Sequence, residues 1–154
     1  MNIRTWIPVV VVSAIVALAL TGVAGGGAAP RLSVAGNGAR LETEIPDRLR
    51  SGLIFESRIA VVADRPLSDV TIGISPEVWR QITVNTVSPE PESEGFKDGE
   101  FRLHFGPLKA GERIEVRLEA QVNPGRWGVA EGMISIRDDE TLLVSRPQQM
   151  WVFP

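Results

Sequence analysis

A single histidine, His104, and the absence of cysteine and tyrosine limit the acid–base and nucleophilic chemistry this chain can perform. Histidine titrates near neutrality and is the usual proton carrier. His104 alternates with Phe101, Leu103 and Phe105 and shares its strand face with Arg102, so it is expected on an outer, wet face. A nucleophilic triad needs that imidazole within reach of both a hydroxyl and a carboxylate, and no serine here is framed as G-x-S-x-G. The carboxylates of Glu90, Glu92, Glu94, Asp98 and Glu100 offer oxygens to Ca²⁺, yet their spacing matches no EF-hand loop, and they read as a solvated loop. Asp138-Asp139-Glu140 falls between two strand patterns and reads as a hairpin turn. A glycosidase pair would need a cleft and sugar-stacking aromatics, and aromatics are few. No catalytic residue, metal ligand or cofactor is assigned, and the chain is read as not an enzyme.

Two polar stretches fit a contact surface better than chemistry. Asn85 sits within Thr83-Val84-Asn85-Thr86, a strand pattern to which asparagine is poorly suited. It is expected to share a face with Thr83 and Val87, opposite Ile82 and Val84. Gln121-Val122-Asn123-Pro124-Gly125-Arg126-Trp127-Gly128 ends the best strand with a tryptophan beside an arginine, a pairing common among interface anchors. Asn85, Gln121, Asn123, Arg126 and Trp127 are therefore the candidate partner contacts. Local hydrogen bonding at a strand end and a Trp that caps the fold is the plainer alternative. Trp79 reads as an inward anchor. Trp151 and Phe153 share one face of the final strand.

These residues must be positioned by strands. In residues 113–122, Ile114, Val116, Leu118, Ala120 and Val122 alternate with Arg113, Glu115, Arg117, Glu119 and Gln121, the period of a half-buried strand. Val70, Ile72 and Ile74 repeat the pattern, as do Phe55, Ile59, Val61 and Ala63. Ile134 and Ile136 continue it, and Leu142–Val144 and Met150–Phe153 supply the last strands. Turn signals recur at Asp64-Arg65-Pro66, Lys97-Asp98-Gly99, Lys109-Ala110-Gly111 and Asn123-Pro124-Gly125. Roughly seven to nine short strands so punctuated predict an all-β antiparallel sandwich. Pro46–Ser51 and Pro76–Arg80 each allow one helical turn. The loop 88–95 is expected to stay irregular, because prolines and carboxylates disfavour a strand there.

The start of the chain is different. From Thr5 to Pro30 no side chain is charged, and the tract is long enough to span a bilayer as a helix. Arg4 ahead of an apolar run and then small residues is also how a cleavable export signal is built. The expected organisation is a transmembrane or signal segment over 1–25, a flexible tether over 26–37 and a sandwich over 38–154. Arg31, Arg40 and Arg48 outnumber Arg4 across the tract, which by the positive-inside rule would keep the sandwich in the cytoplasm. The signal-like order of the segment argues the opposite, and an extracytoplasmic sandwich on a single-pass cytoplasmic-membrane anchor is expected. Trp6 would then sit at headgroup level. Beyond residue 30 about 124 residues remain, enough for one core that buries roughly two-thirds of the unfolded surface. With 16 basic and 19 acidic side chains and no basic cluster, nucleic acid is disfavoured as a partner.

The run Phe55-Glu56-Ser57-Arg58-Ile59-Ala60-Val61, then Leu67-Ser68-Asp69-Val70-Thr71-Ile72, then Gly99 to Glu112 with its Leu108-Lys109-Ala110-Gly111-Glu112, resembles bacterial Ig-like sandwich modules of the CARDB kind. The resemblance spans about residues 38–153 and lacks the Cys…Trp…Cys mark of antibody-type domains. It implies an Ig-like fold and a spacer or binding role. Together these features predict a non-catalytic, membrane-anchored interaction module with a membrane or envelope protein as partner and no expected small-molecule ligand. A cleaved, secreted or periplasmic module binding a ligand or metal is the alternative.

Overall fold

The alternation of residues 113–122 is realised as a strand whose Val116, Leu118, Ala120 and Val122 are buried while Arg113, Arg117 and Glu119 are exposed. In the computed structural model, which describes residues 3–23 and 26–154 with side chains of the first helix from Trp6 onward, helix α1 (Ile3–Leu20) is followed by eleven strands and one further helical turn. The strands are β1 (Arg31–Ala35), β2 (Ala39–Glu44), β3 (Arg48–Arg50), β4 (Ile54–Ala63) and β5 (Val70–Ile74). The turn α2 (Pro76–Trp79) precedes β6 (Ile82–Ser88), β7 (Ser93–Lys97), β8 (Glu100–His104), β9 (Arg113–Val122), β10 (Gly128–Asp138) and β11 (Thr141–Phe153).

Two sheets form the sandwich, one ordered β1-β2-β4-β9-β6 and the other β3-β11-β10-β5-β8-β7. Ile59 and Val61 of β4, Val116 of β9, Ile72 of β5, and Ile134 and Ile136 of β10 meet in the interior with Leu41 and Met150. The strand count exceeds expectation because short edge segments also pair. β1 lies within 26–37, the segment expected as a tether, and its residues pair with β2 from Arg31↔Glu44 to Ala35↔Arg40. β3 occupies 48–50, where one helical turn was possible, and runs parallel to β11, so the sandwich is not wholly antiparallel. β7 forms within the Pro- and Glu-rich region because Asp98-Gly99 makes a two-residue hairpin loop. Both residues take positive φ, 51° and 80°, as that turn requires, and register Lys97 against Glu100.

The expected membrane anchor is not borne out. No helix among the described residues is long and apolar enough to cross a membrane. α1 has 18 residues with Arg4 and Thr5 in its first turn and Pro8 inside it. Its length of about 27 Å and its shorter apolar run fall below the roughly 20 apolar residues a hydrocarbon core takes. The single-pass localisation and the headgroup role of Trp6 are withdrawn with it. Met1, Asn2 and the Arg4 side chain, on which the signal-like start rests, lie outside the described residues, as do Ala24 and Gly25.

Candidate functional site: the Trp127–Trp151 surface

The β9–β10 connection is a short, well-tied turn. Arg126 N donates to Asn123 O at 3.1 Å, and Gly125, at φ 77°, supplies the left-handed third position after Pro124. Pro followed by Gly at these positions is the signature of a type II turn. Asn123 uses its whole amide: Oδ1 accepts from Thr83 Oγ1 at 2.6 Å and Nδ2 donates to Arg80 O at 3.1 Å. Gly125 N donates to Ser51 Oγ at 2.9 Å, joining this turn to the β3–β4 loop. Gln121 Nε2 donates to Gly52 O at 3.0 Å in the same loop.

The five expected contact residues therefore divide. Gln121 and Asn123 hold backbone together. Arg126 is exposed and makes no side-chain hydrogen bond or ion pair among the described residues, and Trp127 is 76% exposed. Asn85 does not join them. It is the extra residue of a bulge, since β6 pairs Val84 with Ala120 and then Thr86 with Glu119. That slip turns Val87 to the same side as Val84, correcting the face expected for it. Asn85 instead borders a hollow of about 480 Å³ with Trp79, Val87 and Glu94. Trp79, expected inward, is half-buried and stacks on Phe101 with centroids 5.3 Å apart.

Trp127 leads into an apolar outer face that the sequence reading missed. On β10 and β11, Val129 registers with Trp151, Glu131 with Gln149 and Met133 with Pro147. Trp151, Val129 and Met133 are 45%, 47% and 42% exposed. The indole of Trp151 is oriented by a relay: Nε1 donates to Gln149 Oε1 at 2.9 Å, and Gln149 Nε2 donates to Glu131 Oε1 at 2.6 Å. Arg48 of β3 registers beside Trp151. The signal was present as alternation: Val129, Glu131 and Met133 interleave with buried Ala130 and Ile134, so one outward face carries two large apolar residues.

Elsewhere both sheets carry ion pairs on their outer faces, beside exposed apolar residues such as Ile54 and Phe96. On the first sheet Arg113 pairs with Glu42 and with Glu115 at 3.0 Å, Arg58 with Glu56 at 2.7 Å, and Arg31 with Glu44 at 3.1 Å. On the second sheet Arg102 faces outward as expected, yet it is 2% exposed because Asp98, Glu100 and Glu140 cover it. Gly73 makes the room, since a Cβ there would lie 2.2 Å from Ser135 Oγ and 2.5 Å from Glu100 Oε2.

His104 is half-buried rather than freely exposed. Its Nδ1 lies 2.6 Å from Asp69 Oδ2 and 3.0 Å from Thr71 Oγ1. A triad would place carboxylate and hydroxyl on opposite ring nitrogens. Here both meet the same nitrogen and Thr71 is wholly buried, so the group ties β5 to β8. Among the described residues no group of three or more His, Asp or Glu is placed to hold a metal ion.

No family model matches the chain, and no curated protein does, so the CARDB resemblance is not confirmed. Among 24 chains of solved structures that match, one from the CaDoc0917–CaCohA2 complex shows 10% identity and a TM-score of 0.43, covering 67% of this chain and 92% of its own. Another, from a type I cohesin–dockerin complex of Clostridium thermocellum, shows 13% identity and a TM-score of 0.41, covering 80% and 99%. At these values the likeness carries no inference about function.

Proposed function

We propose that this β-sandwich is a non-catalytic protein-interaction module that engages a partner protein through Trp127, Val129, Met133 and Trp151. The observation that carries this reading is the 76% exposure of Trp127 on a turn held by hydrogen bonds from Asn123, Gly125 and Arg126. A rigid, exposed indole loses little conformational entropy when a partner covers it, which is why Trp and Arg dominate interface energetics. Arg48 and Arg126 border the apolar residues, so the matching partner surface is an apolar groove with an acidic rim. The arrangement of His104 supports a non-catalytic reading, because the hydroxyl it meets, that of Thr71, is buried and meets the same ring nitrogen as Asp69.

The test compares proteins captured by the purified chain, by a Trp127→Ala/Trp151→Ala variant and by Arg117→Ala on the opposite sheet. A partner retained by the wild type and by Arg117→Ala but lost from the double variant is expected, with affinity reduced about a hundredfold. An identical capture profile for all three would overturn the assignment.

A further inference from the structure

The five inward positions of β11 around its centre are Val144, Arg146, Gln148, Met150 and Val152. Three are apolar, as a sandwich interior demands, and two are not. Arg146 is 8% exposed and Gln148 3%. Arg146 has five N–H donors, and among the described residues its only hydrogen bond runs from Nη1 to the neutral hydroxyl of Thr43. No carboxylate of the described residues lies within ion-pair distance. Gln148 Nε2 donates to Gln149 O at 2.9 Å, while its Oε1 is buried with no hydrogen-bond partner among the described residues. A lone buried guanidinium and an unmet amide oxygen on one strand face are each costly, and native interiors rarely keep either unmatched.

Both side chains line one hollow of about 440 Å³ at the side of the sandwich where β11 faces the start of β1. That volume lies within the range of small-molecule sites. Pro30, Leu32 and Pro147 give it apolar walls, and Asp47 lines it as well. The Asp47 carboxylate makes no hydrogen bond or ion pair among the described residues. One cation, one unmet acceptor, two carboxylates (Asp47, and Glu131, which already accepts from Gln149 Nε2) and an apolar wall thus converge on the same space.

We propose that this hollow binds a small zwitterion of the apolar α-amino acid type. The ligand carboxylate meets the Arg146 fork, its ammonium is shared by Gln148 Oε1 and Asp47, and its side chain lies against Leu32 and Pro147. A guanidinium matches a carboxylate through two parallel N–H donors. Gln148 Oε1 accepts only, so the group facing it must donate, which an ammonium does and a second carboxylate does not. Burial, with no carboxylate to offset it, also pulls the Arg146 guanidinium below its usual pKa. The hollow adjoins the Trp127 surface through Glu131, Pro147 and Gln149, but the inference rests on Arg146, Gln148 and Asp47, which the partner reading does not use.

The test is calorimetric titration of the purified chain with L-valine, L-leucine and L-proline, alongside acetate and n-butylamine as half-ligands. Saturable binding of at least one amino acid, at least tenfold tighter than either half-ligand, is expected. Arg146→Met should abolish it. Asp47→Asn, at the hollow's rim and away from the core, should weaken it about tenfold with the melting temperature of the free protein unchanged. Absence of saturable binding by all three amino acids would show that these groups are only hydrated and would overturn the proposal. Acetate binding as tightly as the amino acids, or unchanged binding by Asp47→Asn, would do the same.

Discussion

Arg102 Nη1 donates to Glu140 Oε2 at 2.8 Å, joining β8 to the tip of the β10–β11 hairpin across 38 residues of sequence. Arg102 heads the largest fully buried side chains of the protein although it points away from the apolar interior. Its cover consists of carboxylates, so an outward-facing charge is shielded by its own counter-ions.

The pair makes stability depend on pH. Lys97 first, and then Arg102, hold the Glu140 carboxyl down to about 2 from an ordinary 4.5. A depressed carboxyl stabilises the fold above its unfolded pKa, and that contribution fades as pH falls through the folded value. The wild type should therefore melt higher than Glu140→Gln at pH 7, and the difference should shrink between about pH 4.5 and pH 2. Thermal melts of both proteins across that range check it.

Arg102→Ala should cost about 3 kcal/mol, because it strips three carboxylates of their shared cation and leaves unfilled volume. Arg102→Lys should recover only part of this, since one ammonium cannot reproduce a planar fork directed at Asp98, Glu100 and Glu140. Urea titrations give both values.

Asn123→Ala removes two hydrogen bonds that fix the turn below Trp127. About 1 kcal/mol of stability should go, and amide exchange at Arg126 should accelerate. A turn that stays fully protected would show that Pro124 and Gly125 suffice.

Deleting Asn85 removes the bulge and leaves a continuous β6–β9 ladder. Stability should change by less than about 1 kcal/mol, while the straightened free edge becomes a template for pairing between chains. Sedimentation should show more self-association than for the wild type.

The strands were legible wherever one face is apolar and the other charged. β9 follows the period of two, whereas in β5 the apolar Val70, Ile72 and Ile74 mark the strand although all five residues are buried. β7 was hidden because all five of its residues are exposed, so no burial pattern marks it, and a two-residue turn rather than hydrophobicity holds it. Val87 lies on the face opposite to the one its spacing predicts, because a one-residue bulge leaves no trace in composition. Of the candidate surface, Arg126 and Trp127 could be seen from their turn, but Trp151 could not be paired with Val129 without the register of β10 and β11. Arg146 and Gln148 look like ordinary polar residues of an edge strand until the parity of Val144, Met150 and Val152 turns them inward.

β11 lies between β10 and β3, and its Leu143 O also accepts from Asn37 N. Segments made early in synthesis thus find their places only against one made late. While the ribosome is still translating, β3 has no neighbour in its sheet and β10 lacks the partner on one of its two edges. Pairings so distant in sequence also slow folding. The nascent chain is therefore open to aggregation until β11 emerges, and a holdase that covers the unpaired edge of β10 during that interval should raise its soluble yield.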